Sequence, residues 1–143
     1  MKSLIYAIFA LVLLAACSPN AATPTPEVPP VRYPSAPQPG DSSLTRGPVY
    51  LDSTEIVAMM SFPVQFALTL QGNLPTPCNS LRVALSDPDA ENRIAVEVYS
   101  LVDPQEVCVQ MLEPFQATVP LGSFPAGHYI VEINGKQVAE FDA

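Results

Sequence analysis

Residues 129–135 read YIVEING and hold the clearest secondary-structure signal in the sequence. Apolar and polar side chains alternate up to Ile133, which is the period of a strand with one buried face. The dipeptide Asn134-Gly135 favours a type I′ turn, because both central residues of that turn need positive φ. The stretch therefore predicts a hairpin whose second strand covers about residues 137–142.

The same alternation occurs upstream, most clearly in VQFALTL at residues 64–70 and RIAVEVY at residues 93–99. Turn-forming residues separate such stretches, including Gly72-Asn73, Asp87-Pro88-Asp89, Asp103-Pro104 and Pro125-Ala126-Gly127. The pattern predicts strands near residues 49–60, 63–70, 81–86, 93–101, 106–112, 115–121, 128–133 and 137–142. Seven or eight short strands with no helical period indicate an all-β fold, an antiparallel β-sandwich.

The N-terminus has the parts of a secretory signal over residues 1–16. Lys2 supplies the positive charge and Leu4–Leu14 the apolar stretch, which is too short to span a bilayer. The tetrapeptide Leu14-Ala15-Ala16-Cys17 resembles the lipobox of bacterial lipoprotein precursors. The resemblance implies that Cys17 is lipidated and that the chain is anchored to the cell membrane or outer membrane, on the extracytoplasmic side. The alternative is an ordinary secretory signal, with Cys17 as a bystander thiol.

Residues 17–48 are rich in Pro, Ala, Ser and Thr, and nine prolines lie between Ser18 and Pro48. Such a segment buries too little apolar surface to offset its ordering entropy, so we expect a lipidated, extended tether. Pro34-Ser35-Ala36-Pro37 also fits a polyproline ligand motif, which is the competing interpretation. The sandwich domain is then predicted over residues 49–143.

Two cysteines remain once Cys17 is assigned to lipid. In an exported domain we expect Cys78 and Cys108 to form a disulfide; free thiols or a metal site are the alternatives.

Several segments taken together resemble an immunoglobulin-like β module that recurs in bacterial secreted lipoproteins. They are GNLPTPC at 72–78, CVQ at 108–110, LEPF at 112–115, VPL at 119–121 and PAGHYIV at 125–131. The resemblance covers roughly residues 63–142 and implies paired cysteines and an immunoglobulin-like sandwich, and it brings no catalytic activity with it.

Residues suited to catalysis or metal binding are sparse. His128 is the single histidine and has no nucleophile motif beside it, so we predict no catalytic residues and no cofactor. Asp87, Asp89 and Glu91 place oxygen ligands at every second position, which makes them a weak calcium candidate. An acidic turn explains the same residues more simply.

The charge balance excludes nucleic acid as a partner. The net charge is −8, and the basic residues are scattered along the chain. Anionic headgroups should also repel this acidic domain.

We therefore expect a non-catalytic binding or accessory module of the cell envelope whose partner is a protein or glycan. The alternative is an inhibitor of an extracellular protease. It would act through a rigid, disulfide-linked loop containing Asn73, Leu74, Pro75, Thr76 and Pro77.

Overall fold

The computed structural model describes residues 33–143. They form a short 3₁₀ helix and eight strands in two sheets. The elements are the 3₁₀ helix Pro39–Ser43 and the strands β1 Thr45–Gly47, β2 Tyr50–Met59, β3 Gln65–Leu74, β4 Ser80–Leu85, β5 Arg93–Val102, β6 Glu113–Gly122, β7 His128–Ile133 and β8 Lys136–Asp142. The signal at 1–16, Cys17 and the first part of the tether lie outside the described residues.

The two sheets confirm the predicted all-β sandwich. One sheet has the order β2-β3-β6. In the five-stranded sheet, β5 pairs with β4 on one edge and with β7 and then β1 on the other. The β5–β7 pairing is parallel, whereas the other pairings of the described residues are antiparallel. The predicted antiparallel pairing is therefore correct for every pair of neighbouring strands described here except β5 with β7.

The core lies between the sheets and consists of aliphatic side chains from alternate strand positions. Leu68, Leu70 and Val119 of the three-stranded sheet are fully buried against the opposite sheet. The five-stranded sheet contributes Val83, Ile94, Val96, Val98, Tyr129, Val131 and Ile133. Burying each such side chain stabilises the fold by about 1.5–3 kcal/mol. The described residues thus contain both the hydrophobic core and the disulfide of the sandwich.

The residue pairs of β3 and β6 show which residues lie at each end of the sandwich. Phe66 at the start of β3 pairs with Gly122, and its ring lies 4.4 Å from that of Phe141 in the other sheet. The turn between β2 and β3 lies at this end, which we call the hairpin end after that β2–β3 hairpin. At the opposite end Leu74 pairs with Glu113, close to the Cys78–Cys108 disulfide. We call it the disulfide end.

The hairpin predicted at Asn134-Gly135 is confirmed, and Asn134 has a second role. Its φ is 50° and that of Gly135 is 80°. The side-chain oxygen of Asn134 accepts the Val98 N–H at 3.0 Å, and its amide donates to the Val98 carbonyl at 2.9 Å. Asn134 therefore replaces a strand residue on the β5 edge, between the part paired with β7 and the part paired with β1.

Two local predictions are wrong. Gly72-Asn73 is not a turn but lies within β3, where a Cβ on Gly72 would collide with the Tyr50 carbonyl oxygen. Residues 106–112 form no strand. They follow a tight turn in which the Asp103 carboxylate and carbonyl accept the N–H groups of Gln105 and Glu106. The segment from Asp103 to Leu112, which we call the disulfide loop, pairs with no strand of the described domain.

The predicted tether boundary at residue 48 is also wrong. Residues 33–48, the N-terminal arm, pack on the sandwich through polar contacts. The Val83 N–H donates to the Ser35 carbonyl at 2.8 Å, and the Tyr33 hydroxyl donates to the Val83 carbonyl at 2.6 Å. These two bonds satisfy the free edge of β4, so the segment that fits the polyproline motif contacts its own domain.

Further along, the arm forms an ion pair and the missed strand β1. Arg82 donates from Nε and Nη2 to the two carboxylate oxygens of Asp41, at 2.9 and 3.0 Å. The side chains of Asp41 and Arg82 are only 15% and 11% exposed. In β1, the Arg46 guanidinium lies 3.8 Å from the centre of the Tyr99 ring. The folded domain therefore begins at or before Tyr33.

Candidate binding surfaces

The weak calcium candidate, formed by Asp87, Asp89 and Glu91, is an acidic turn in which the Asp89 carboxylate accepts backbone hydrogen bonds. Its Oδ1 accepts the N–H groups of Glu91 at 2.9 Å and Arg93 at 2.8 Å. Across residues 33–143, no group of three or more His, Cys, Asp or Glu side chains is placed to hold a metal ion.

His128 lies on an exposed edge at the hairpin end. Its Nδ1 is 2.8 Å from Asp142 Oδ1, and its Nε2 is 3.6 Å from Glu140 Oε2. The hydrogen bond to Asp142 and the nearby negative charges raise the pKa of His128. The arrangement favours a protonated imidazole that pairs β7 with β8 at the surface.

The segment Asn73–Pro77 does not protrude as the inhibitor hypothesis requires. Asn73 and Leu74 belong to β3, and Leu74 and Thr76 are buried. The Thr76 hydroxyl donates to Asn79 Oδ1 at 2.7 Å, and Asn79 Nδ2 donates to Ser100 Oγ at 3.1 Å, which links the segment to β5. Pro77 is exposed, but it has no exposed neighbours within the segment.

The disulfide predicted between Cys78 and Cys108 is present, with Cα atoms 6.0 Å apart. It attaches the disulfide loop to the connection between β3 and β4. The Cys78 N–H also points to Cys108 Sγ at 3.2 Å.

The disulfide loop exposes apolar side chains that ordinary packing would bury. Val107 is 98% exposed, and Val109, Met111 and Leu112 are each more than half exposed. Tyr50, also half exposed, is at the same end, since β2 begins there. Acidic residues in and beside the loop, Asp103, Glu106 and Glu113, give this apolar surface a charged rim.

The β2–β3 turn forms a second apolar surface, at the hairpin end. Met60 and Phe62 are fully exposed, and Val64 is about half exposed. We call residues 59–64 the hairpin tip. Its turn is held internally, because Ser61 donates its N–H to the Met59 carbonyl at 2.8 Å and its hydroxyl to the Pro63 carbonyl at 2.9 Å.

A shallow groove runs between the start of β2 and the β7–β8 hairpin. Its volume is about 450 Å³, and Leu51, Asp52, Ser53, Thr54, Ile133, Asn134, Lys136 and Val138 line it. The free edge of β2 borders the groove, because among residues 33–143 β2 pairs with β3 alone. In the part of the chain that the structure describes, no helix has the length and apolarity to cross a membrane.

Sequence reasoning missed both apolar surfaces. In the disulfide loop, apolar and polar residues alternate from Val107 to Met111, which also fits a strand. At the hairpin tip, Pro63 beside Phe62 was the available sign of a turn. Tyr129 is buried, whereas Tyr50 and Phe62 are exposed.

Comparison with known families assigns the greater part of this domain. The family model of the ORF11 beta-sandwich domain matches residues 68–143, which is more than half of the chain. No curated protein and no solved structure matches. The matched residues include β4 to β8, both disulfide cysteines and the disulfide loop, whereas the arm, β2 and the hairpin tip precede them. The agreement between the family's sandwich and the two observed sheets places this chain in the ORF11 beta-sandwich domain family.

Proposed function

We propose that this chain is a membrane-anchored extracytoplasmic lipoprotein whose sandwich acts as a non-catalytic binding or accessory module of the cell envelope. Residues 1–16 are its signal, Cys17 carries the lipid, and the segment before Tyr33 links the anchor to the domain. The partner is an envelope protein or glycan that contacts the disulfide end.

The observation that carries the proposal is the exposed apolar surface of the disulfide loop. Val107, Val109 and Met111 are displayed on a loop that a covalent bond fixes at Cys108. Exposed apolar patches with polar rims mark interaction sites, and a loop fixed in advance loses less entropy on docking. The acidic rim favours a partner with basic groups around an apolar centre.

The anchor is tested by metabolic labelling with palmitate in a bacterial host that processes lipoproteins. The wild-type chain should incorporate the label, and Cys17→Ala should not. Cys78→Ala/Cys108→Ala, which keeps Cys17, is the matched control and should still be labelled. Equal labelling of wild type and Cys17→Ala would contradict the anchor.

The binding role is tested by capture from envelope extract with residues 33–143. A fragment beginning at residue 49 is unsuitable, because it lacks the arm and β1. The comparison is between the wild-type domain and Val107→Ser/Val109→Ser/Met111→Ser, whose side chains are exposed and whose fold should be unchanged. A component held by the wild type and lost by the variant supports the proposal, and equal capture by both contradicts it.

A further inference from the structure

The hairpin tip differs from the disulfide loop in having no charged rim of its own. Its most exposed side chains, Met60 and Phe62, extend from the end of two ten-residue strands. No charged residue occurs between Glu55 and Arg82 in the sequence. The tip is therefore a small, convex and uncharged apolar surface.

We propose that the hairpin tip inserts into the interfacial region of a bilayer composed of zwitterionic lipids. Two backbone positions of the tip suit this placement, because unpaired N–H groups are costly to place in an apolar medium. At the tip the Ser61 N–H and hydroxyl are bonded within the turn, and Pro63 has no N–H. Phe62, Met60 and Val64 can enter the lipid while the turn keeps its own hydrogen bonds.

The size of the tip argues for lipid over a protein pocket. A stable protein interface buries roughly 800 Å² on each partner and surrounds its apolar centre with polar groups. The tip offers three exposed apolar side chains, and the hydroxyl of Ser61 is already used inside the turn. A bilayer needs neither a large area nor polar partners.

The charges nearby determine which lipids fit. Asp87, Asp89 and Glu91 in the β4–β5 loop lie at the same end of the sandwich as the tip, whereas Asp142 at that end is paired with His128. Anionic headgroups would repel these carboxylates, so the tip selects neutral headgroups. The inference does not depend on lipidation of Cys17, although an anchored chain would hold the tip close to the membrane.

The experiment places a single tryptophan at either end of the domain, since the chain has none. Phe62→Trp probes the tip and Val107→Trp is the matched control, because both positions are fully exposed. Each variant of residues 33–143 is titrated with phosphatidylcholine vesicles, and its emission is recorded. We expect a blue shift for Phe62→Trp alone and a smaller shift when phosphatidylglycerol is added to the vesicles.

Co-sedimentation of tryptophan-free protein with the same vesicles completes the test. Met60→Ser/Phe62→Ser should lower the partition coefficient by at least roughly tenfold, because two apolar side chains no longer enter the lipid. Equal sedimentation of wild type and variant would overturn the proposal, as would a blue shift in both tryptophan variants or in neither. A Phe62→Trp shift with delipidated envelope protein, and none with vesicles, would also overturn it and indicate a protein partner.

Discussion

The N-terminal arm and the disulfide loop each have a structure opposite to the one that their sequences predict. The arm is rich in proline and looks like a tether, yet it packs on β4 and β5. The disulfide loop has the alternation of a strand, yet its apolar side chains face solvent. The difference lies in available backbone partners, because β4 and the end of β5 present free edges to the arm. The disulfide loop pairs with no strand of the described domain.

Removing the arm should have the largest effect on stability. A fragment of residues 49–143 loses β1, the two bonds to Val83 and the Ser100 hydroxyl bond to the Pro48 carbonyl. With a net contribution near 1 kcal/mol for each of several hydrogen bonds, we expect a loss on the order of 4 kcal/mol. Urea unfolding of residues 33–143 beside residues 49–143 measures it.

The shorter fragment should also associate, because removing the arm exposes the edge of β4 to other chains. Sedimentation velocity would detect this. Equal unfolding free energies for two monomeric fragments would show that the arm only lies on the surface, and the comparison with the disulfide loop would fail.

Removing the Cys78–Cys108 disulfide tests the disulfide loop, the other region of the comparison. Cys78→Ser/Cys108→Ser opens a loop spanning 30 residues, and the chain-entropy model gives a loss of about 3–4 kcal/mol. Chemical denaturation under oxidising conditions measures the change. Val107→Ser is the matched control and should alter stability by less than about 0.5 kcal/mol, since an exposed side chain contributes little. A larger loss in this control would mean that the loop packs through its side chains.

Substitutions of Asn134 test how its side chain fills the gap between β7 and β1, which pair with the same edge of β5. Removing its side chain leaves the N–H and carbonyl of buried Val98 without partners, so Asn134→Gly should cost about 2–3 kcal/mol. Glycine keeps the positive φ of the turn, and Asn134→Ala should cost about 1 kcal/mol more through backbone strain. Thermal unfolding of the two variants separates these causes. If Asn134→Gly unfolds like the wild type, the side-chain bonds have no net effect.

Much of the sandwich could be predicted from sequence because its core strands alternate regularly. The strands at 93–101 and 128–133 and the Asn134-Gly135 turn follow from local patterns. The Cys78–Cys108 pair was expected because two cysteines remain once Cys17 is assigned to lipid. The parallel pairing of β5 with β7 does not, since strand order depends on contacts between residues far apart. Gly72 was misread because a close approach to Tyr50 and a turn favour the same residue.

The binding surfaces were harder to predict than the fold. Exposure of Val107 or Phe62 depends on whether another element covers the side chain, and no local pattern records that. The arm was missed for a related reason: its attachment depends on single polar partners, such as Asp41 with Arg82 and Tyr33 with Val83. A proline-rich composition conceals such contacts.

The smallest predicted effect concerns pH and the attachment of the arm. The hydrogen bonds from Arg82, then the Gln38 N–H and the Arg82 charge, hold the pKa of Asp41 below its ordinary value of 3.8. The ion pair therefore contributes fully above that pH, and its contribution is lost as the pH falls below 3.8 through the lowered pKa. The stability difference between wild type and Asp41→Asn should stay constant near neutral pH and shrink in this acidic range. Melting temperatures measured across the range follow this difference.

Arg82→Gln serves as the control because it removes the partner and leaves the carboxylate. Arg82→Gln keeps the Gln38 N–H bond to the carboxylate, so it should retain a smaller part of the acid dependence, which Asp41→Asn and Asp41→Asn/Arg82→Gln should lose equally. If instead the wild type and Asp41→Asn differ equally at every pH, the Asp41 carboxylate does not bind Arg82 in solution. Edge pairing and the other contacts of the arm would then hold it without the ion pair, and its contrast with the disulfide loop would rest on those contacts.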